Sequence, residues 1–359
     1  MNVLIIILQA VAAFFIGTIL YDIVHYVLHV FLRSDYEVLR KIGRWHSAHH
    51  CFFPATLIIQ REWTKKNLIR HVLLEYLIQM TGSLLCLFFF SSLAVYLAII
   101  FESCIFIAVC YWRGVDPHHQ PQKYLPFYRR GLFVDAAYHA LHHAYPNNFY
   151  SGYIKLIDYV LGTGMQLKGK QIALTGASGA LGSNMKILLE NEGARVIPLK
   201  FNVDYTYQDY SKLKPVLEKT DILFLCHGSK YKDAQQANCD SFIQIIELFK
   251  HVRQRDLVPL EIWGVGSEIE CHPCFGFKKL QVYARSKRNY AKQAKKYFHD
   301  RDIQYRHIVH SAFWSNMGPG LMSANFAAKA TLFFLKRGFK YISVTYTGIA
   351  LLNYIRFIF

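Results

Sequence analysis

Two stretches almost empty of charge limit what this chain can fold into. Asn2 to Tyr21 has no charged side chain, and Val72 to Trp112 has only Glu75 and Glu102. At about 1.5 Å rise per residue, the first stretch is long enough to cross a hydrocarbon layer of about 30 Å once as a helix, and the second twice as a hairpin. The first run lacks the basic start and small-residue cleavage site of a secretory leader and continues into "YDIVHYVLHVFL", so it is expected to stay in the mature protein. Between the runs, Arg33, Arg40, Lys41, Arg44, Arg61, Lys65, Lys66 and Arg70 outnumber three acids, and short basic loops of this kind face the cytoplasm. Three spans then leave the amino terminus outside and everything after Trp112 inside.

Composition changes partway along the 359 residues, which suggests two domains. Residues up to about 165 hold eleven of the seventeen histidines, whereas the remainder has the character of a water-soluble α/β chain. A net charge of +17 beside long apolar runs fits anionic lipid headgroups and argues against a nucleic-acid partner. The eight cysteines are scattered, so no disulfide framework is expected, and Cys271 with Cys274 is a lone CxxC with no second pair. No internal repeat is evident.

The histidines are grouped. His25 and His29 are four apart; His46, His49 and His50 are spaced three and four, as are His139, His142 and His143. On a helix each set shares one face, and the expected topology brings all three sets to one side of the membrane. His118 and His119 follow the third span and offer one more ligand. Neutral imidazole suits iron, zinc or copper, and eight or more exceed the needs of one ion, so two metal ions are the economical inference. Asp22 and Asp135 are the expected carboxylate partners for ligand N–H groups, and His71 is read as an ordinary polar residue. Haem takes one or two axial histidines and leaves most of these without a role.

HxxxH, HxxHH and HxxHH boxes in this order, followed by "HHAYPNNFYSGYIKLIDYVLGT", resemble the sterol desaturase and fatty acid hydroxylase superfamily across residues 10 to 165. The resemblance implies an α-helical integral-membrane domain, two irons, O2 activation, and hydroxylation or desaturation of an unactivated C–H bond in a lipid, with electrons from a redox partner. Which of His118 and His119 matches that family's isolated histidine is open.

The second half begins "KGKQIALTGASGALG", a short apolar strand and a glycine-rich turn before a helical stretch. Gly176, Gly179 and Gly182 let backbone approach a pyrophosphate at a helix N-terminus. "ARVIPL", "DILFLCHG", "LEIWGVGS" and "YRHIVHS" add strands separated by helical stretches, the rhythm of a Rossmann-like, doubly wound parallel sheet. Ser267 closes one strand, and Tyr283 and Lys287 form YxxxK on a basic helix, where the ammonium is expected to lower the phenol's pKa.

Glycine loop, "CHG", Asn238, Ser267 and YxxxK occur in the order of the short-chain dehydrogenase/reductase family, a resemblance covering residues 168 to about 347. It implies a catalytic tetrad of Asn238, Ser267, Tyr283 and Lys287, with Tyr283 moving the proton. It also implies a nicotinamide site at Thr175, Gly176, Ser178, Gly179, Leu181, Gly182, Lys200 and Gly228. His227 and His310 depart from that family's usual residues. Lys200, where NAD users usually place an acid, favours NADP over NAD.

The expected organisation is a membrane hydroxylase/desaturase-like domain at 1–166, a reductase domain at 167–347 and an apolar tail at 348–359. The tail either lies on the membrane interface or packs on the protein. Lys278, Lys279, Arg285, Arg288, Lys292, Lys295 and Lys296 form a basic face toward headgroups or solvent. The function this implies is a bifunctional membrane oxidoreductase that oxidises a lipid and interconverts alcohol and carbonyl, in a bacterial inner membrane sooner than an endoplasmic reticulum. The alternatives are a short-chain reductase on a metal-stabilised anchor, and a non-enzymatic metal- or nucleotide-sensing scaffold.

Overall fold

The computed structural model describes residues 2–121, 123, 131–253, 257–274 and 278–359; the side chain of Lys279, one of the basic-face lysines, lies outside the described set. The chain separates into two compact units, Met1–Gly164 and Met165–Phe359.

Among its described residues the first unit has three helices long and apolar enough to cross a membrane, Val3–Leu32, Arg61–Phe88 and Ser92–Tyr111. The first starts where the Asn2 side chain accepts from the Leu4 N–H at 3.0 Å. It is ten residues longer than its uncharged run, and the extension carries His25 and His29. The second contains a π turn, Leu68–Val72, that includes His71. These two helices meet backbone to backbone. A Cβ on Gly17 would lie 2.5 Å from the Gln79 carbonyl oxygen, and one on Gly82 would lie 2.8 Å from the Gly17 Cα. Without a hydrophobic driving force in lipid, such close approach lets dispersion hold the helices together. An amphipathic helix, Glu37–Phe52, carries His46, His49 and His50, and a short one, Ala136–Ala144, carries His139, His142 and His143.

The second unit is built on strands β1 (Gln171–Thr175), β2 (Arg195–Leu199), β3 (Ile222–Leu225), β4 (Leu260–Val265), β5 (Ile303–His310) and β6 (Tyr341–Val344). They form one sheet in the order β2-β1-β3-β4-β5-β6, with every neighbouring pair parallel. Parallel strands buried on both faces read as continuous apolar runs, and "ILFL" of β3 is one. Leu223 and Leu225 join a core with Phe242, Phe249, Tyr290 and Phe298, while Ile222 and Phe224 face the opposite core with Met185, Trp263 and Leu335. The order turns at β1, between β2 and β3, and opens a crevice at the carboxyl ends of those strands.

The tail forms helix Ile349–Ile358 within the second unit. Ala350, Asn353 and Phe357 are buried, with Phe357 against Phe298, while Leu351, Leu352 and Ile355 stay exposed. One face therefore packs on the protein and the other is open.

Gly17→Val forces apart backbones already in contact. The expected outcome is a fall in stability of roughly 1–3 kcal/mol, read as a lower thermal midpoint of the detergent-solubilised chain, with Gly17→Ala intermediate.

Candidate functional site

The histidines of the first unit converge on two points. His25, His29, His46, His50 and His142 form one group and His49, His119, His139 and His143 a second; within each, the ligand atoms lie within 4.8 Å of one another. His118 stands outside both, its ring centroid 6.0 Å from that of His139. The groups adjoin, because His49 and His50 are consecutive and the His50 and His143 ring centroids are 4.8 Å apart.

Where the imidazole protons sit decides what the groups can hold. Nδ1 of His25 lies 3.0 Å from the Tyr150 carbonyl oxygen and Nδ1 of His142 lies 2.8 Å from that of Asn148. Nδ1 of His143 lies 2.7 Å from the Phe53 carbonyl, and Nδ1 of His119 lies 2.7 Å from the Asp116 carboxylate. A carbonyl oxygen only accepts, and so does an ionised carboxylate, so each Nδ1 carries the proton and each Nε2 a lone pair. Those lone pairs face each other at 3.0 Å between His25 and His142, and at 3.0 Å between His119 and His143. Opposed lone pairs repel unless a cation lies between them. Neither His142 nor His143 supplies it by protonation, because burial holds His142 down to about 4 and, with its imidazole neighbours, holds His143 well below the usual histidine range. Two nitrogens bound at about 2.1 Å to one ion at right angles are about 3.0 Å apart, so the spacing fits metal ligation. His29 Nε2 and the Nδ1 atoms of His46 and His139 are also buried without a hydrogen-bond partner among the described residues.

The carboxylates expected to orient the ligands do other work. Asp22 accepts from the Gly152 N–H at 2.9 Å, and Asp135 caps helix Ala136–Ala144 by accepting from the Tyr138 N–H at 2.8 Å. Backbone carbonyls, Asp116 and Asn67 replace them, the last with its Oδ1 3.2 Å from His49 Nδ1. Carbonyls make good orienting acceptors and leave no sequence trace. Asp158 holds the frame. Fully buried, it accepts from the Tyr138 hydroxyl, the Tyr150 and Ser151 N–H groups and the Thr163 hydroxyl, which fixes the Tyr150 carbonyl that His25 faces.

His71, read from the sequence as an ordinary polar residue, stands outside both groups with a partner at each ring nitrogen. Its ring stacks on His49 at 3.6 Å between centroids, with Nδ1 3.0 Å from the Tyr21 hydroxyl and Nε2 3.5 Å from Glu75.

In the second unit, one cavity of about 920 Å³ gathers most of the motif residues: Gly176 to Gly182, Lys200, Gly228, Asn238, Ser267, Tyr283 and Lys287 all line it. Gly179 starts helix Ala180–Asn191 with no side-chain cap, so first-turn N–H groups are left for an anion. A Cβ on Gly182 would lie 2.1 Å from the Gly176 oxygen, so the loop requires glycine there. Thr175 is not on the wall. Its hydroxyl is buried beneath the loop, accepting from the Cys226 N–H at 3.1 Å and pairing with His227 Nδ1 at 2.8 Å. That bond and another at 2.7 Å to Ser241 account for His227 as a structural residue.

Burial pushes Tyr283 above the usual phenol range, opposed by a hydrogen bond with Ser267. The lowering expected from Lys287 is not what this geometry produces, because the ammonium donates to the Val265 carbonyl at 2.8 Å and is itself pushed down to about 8 by burial. Asn238 sits in a π turn, Gln236–Asp240, and donates to the Ser229 carbonyl and the Ser286 hydroxyl. Glu270, unnoticed in the sequence, accepts from the Ser267 N–H at 3.1 Å and pairs with the buried His307 at 2.7 Å. Ser267 to Glu270 is a capping box, a pattern legible as S-x-x-E.

The chain thus joins a helical membrane unit, with two histidine groups able to hold metal, to a Rossmann-like α/β unit. No protein-family model matches it. It is similar to the monoglucosyldiacylglycerol epimerase of Synechocystis sp., 29% identical over 252 residues. The match takes in 62% of this chain and spans 60% of that protein's length. A short chain dehydrogenase from Burkholderia cenocepacia J2315 in complex with NADP is 13% identical, with a TM-score of 0.44 over 53% of this chain and 95% of that one. A short chain dehydrogenase/reductase from Burkholderia phymatum in complex with NAD is 14% identical, with a TM-score of 0.40 over 54% and 93%. The strand order, not these likenesses, defines the second unit's fold.

The cavity makes a pH prediction for protein prepared without nucleotide. The unfolded chain keeps the Lys287 proton to about 10.5, and the folded chain releases it from about 8. Between those values the unfolded state binds more protons, so folding stability rises with pH, and the cost of burying the ammonium is fully present below about 8. Chemical denaturation of the full chain across that window is expected to show the rise, and Lys287→Met to lack it.

Proposed function

We propose that the chain is a bifunctional membrane oxidoreductase. Its first unit holds two irons for O2-dependent hydroxylation or desaturation of a lipid, and its second interconverts alcohol and carbonyl with NADP or NAD. The observation that carries the reading is the pair of opposed Nε2 lone pairs, one in each histidine group. Iron, when bound, supplies O2 activation, with two electrons from the substrate C–H bond and two from an external donor. His25, His29, His46, His50 and His142 hold one ion, and His49, His119, His139 and His143 the other. Asp116, Asn67 and the Tyr150, Asn148 and Phe53 carbonyls keep the rings oriented.

In the second unit a bound nicotinamide dinucleotide supplies or takes a hydride at the substrate's carbinol carbon. Tyr283 moves the proton on the substrate oxygen, Ser267 holds that oxygen, Glu270 holds Ser267, and Lys287 is the residue that would hold the ribose of a bound nucleotide. Asn238 fixes the loop after β3 through Ser229. Lys200 meets a 2′-phosphate, which favours NADP. The basic loop from Arg33 to Arg70 supports a cytoplasmic location for both sites, and a bacterial inner membrane is the favoured setting.

The Synechocystis relative supports a narrower second reading of the reductase unit. An alcohol on the sugar of a glycosylated diacylglycerol is oxidised to the ketone and reduced again from the opposite face, with no net consumption of nucleotide. Net NADPH oxidation by a lipid carbonyl separates the two readings.

Purified full-length protein is expected to carry about two irons per chain. His142→Ala removes one, and His142→Ala with His49→Ala removes both, by elemental mass spectrometry. Metal-free protein that still turns over nicotinamide would reduce the first unit to an anchor. Tyr283→Phe should lower nicotinamide turnover by roughly 10²–10⁴-fold while leaving iron content unchanged. Lys200→Ala should lower the ratio of kcat/KM for NADPH over NADH at least about tenfold, the effect of roughly 1.4 kcal/mol of lost phosphate binding.

A further inference from the structure

Every strand of the sheet runs the same way, so every segment that follows a strand emerges at one end of it, the end where the cavity opens. The segments after β3, β4, β5 and β6 all contribute to the cavity wall. Several of their side chains, and of the helices they lead into, are large, apolar and exposed. Tyr231 is 71% exposed, Trp314 64%, Leu321 83%, Phe326 59%, Tyr346 48% and Leu351 59%. Tyr346 also lines the cavity, so the exposed face reaches the cavity mouth. Lys230, Lys232 and Lys278 belong to the same segments. Deeper in, the wall is polar, with Ser267, Glu268, Tyr283, Ser311 and Thr347.

We propose that this end of the second unit docks on the surface of an anionic bilayer, so that the cavity opens toward lipid and its substrate is a bilayer-held molecule whose polar head enters. Three features select a bilayer as the occupant. Among the described residues are three helices able to cross a membrane, so a bilayer is covalently within reach. Tyrosine and tryptophan favour the water–lipid boundary, where an apolar ring and a polar tip are both satisfied. The lysines complement anionic headgroups. Large apolar side chains left exposed on the segments at one end of a sheet mark an interaction surface more often than free solvent exposure. The substrate half of the proposal rests on the alcohol–carbonyl reading of the Tyr283 site; the docking half does not.

The test uses the full chain reconstituted in vesicles of phosphatidylcholine and phosphatidylglycerol, with a fluorescent amino acid in place of Leu321 or Leu351. A label replacing Lys219, which is exposed and precedes β3 at the opposite end of the sheet, is the control. Lipids with brominated acyl chains are expected to quench the first two labels and spare the third. Quenching at none of the three, or equally at all, overturns the docking. So does shielding of 321 and 351 from both lipid and aqueous quenchers, since a second copy of the chain then covers the face. Leu321→Asp with Leu351→Asp should raise KM for a long-chain lipid alcohol at least about tenfold and leave kcat/KM for a short soluble alcohol unchanged; equal loss on both overturns the entry route. Quenching without any nicotinamide turnover keeps the docking and sinks the alcohol–carbonyl reading, and turnover without quenching does the reverse.

Discussion

Much of the first unit follows from where four imidazole protons go. The Tyr150, Asn148 and Phe53 carbonyls and the Asp116 carboxylate take the Nδ1 protons of His25, His142, His143 and His119. The Nε2 lone pairs of His25 and His142, and of His119 and His143, then face one another, with His50 Nε2 3.2 Å from that of His142 and His139 Nε2 3.0 Å from that of His119. That arrangement is unfavourable in a buried site without a cation, so the packing around it has to hold histidines that repel in the absence of metal. The backbone contact of Gly17 with Gly82, the Asp158 network and the long first helix are the structures that hold them.

The second unit solves a different problem with the same economy. A parallel sheet that turns at β1 leaves a crevice at its carboxyl end, and the glycine loop, Ser267, and Tyr283 with Lys287 reach it from three separate segments. Burial is the dominant influence there. It raises Tyr283 and lowers Lys287, opposite shifts that both favour the uncharged forms. A phosphate-bearing ligand would bring negative charge to the ammonium, so the proton balance of this site is tied to what occupies it. Glu270 and His307, paired beneath Ser267, keep the serine in place whatever that charge is.

The parts of the chain legible in its sequence were those with a short period. Apolar length gave the spans, three-and-four spacing gave the histidine groups, and the rhythm of apolar runs gave the parallel sheet. The parts that were not legible depend on contacts between distant segments. Asp22 and Asp135 stood at plausible spacings from ligand histidines, and each is occupied by a backbone N–H elsewhere. Thr175 belongs to the glycine motif but lies under the loop, where its hydroxyl accepts from the Cys226 N–H at the start of the segment after β3.

The sequence alone determined that this chain has a membrane part rich in grouped imidazoles and an α/β part with a glycine loop and YxxxK. Periodicity and composition are local, and local spacing is enough to fix which residues share a face. Tertiary structure decided that His119 and not His118 joins a group, that carbonyls orient the ligands, and that the tail helix packs one face and exposes the other. A backbone carbonyl has no letter of its own in the sequence. Its role as acceptor exists only once the fold has brought it within hydrogen-bonding distance of a ring.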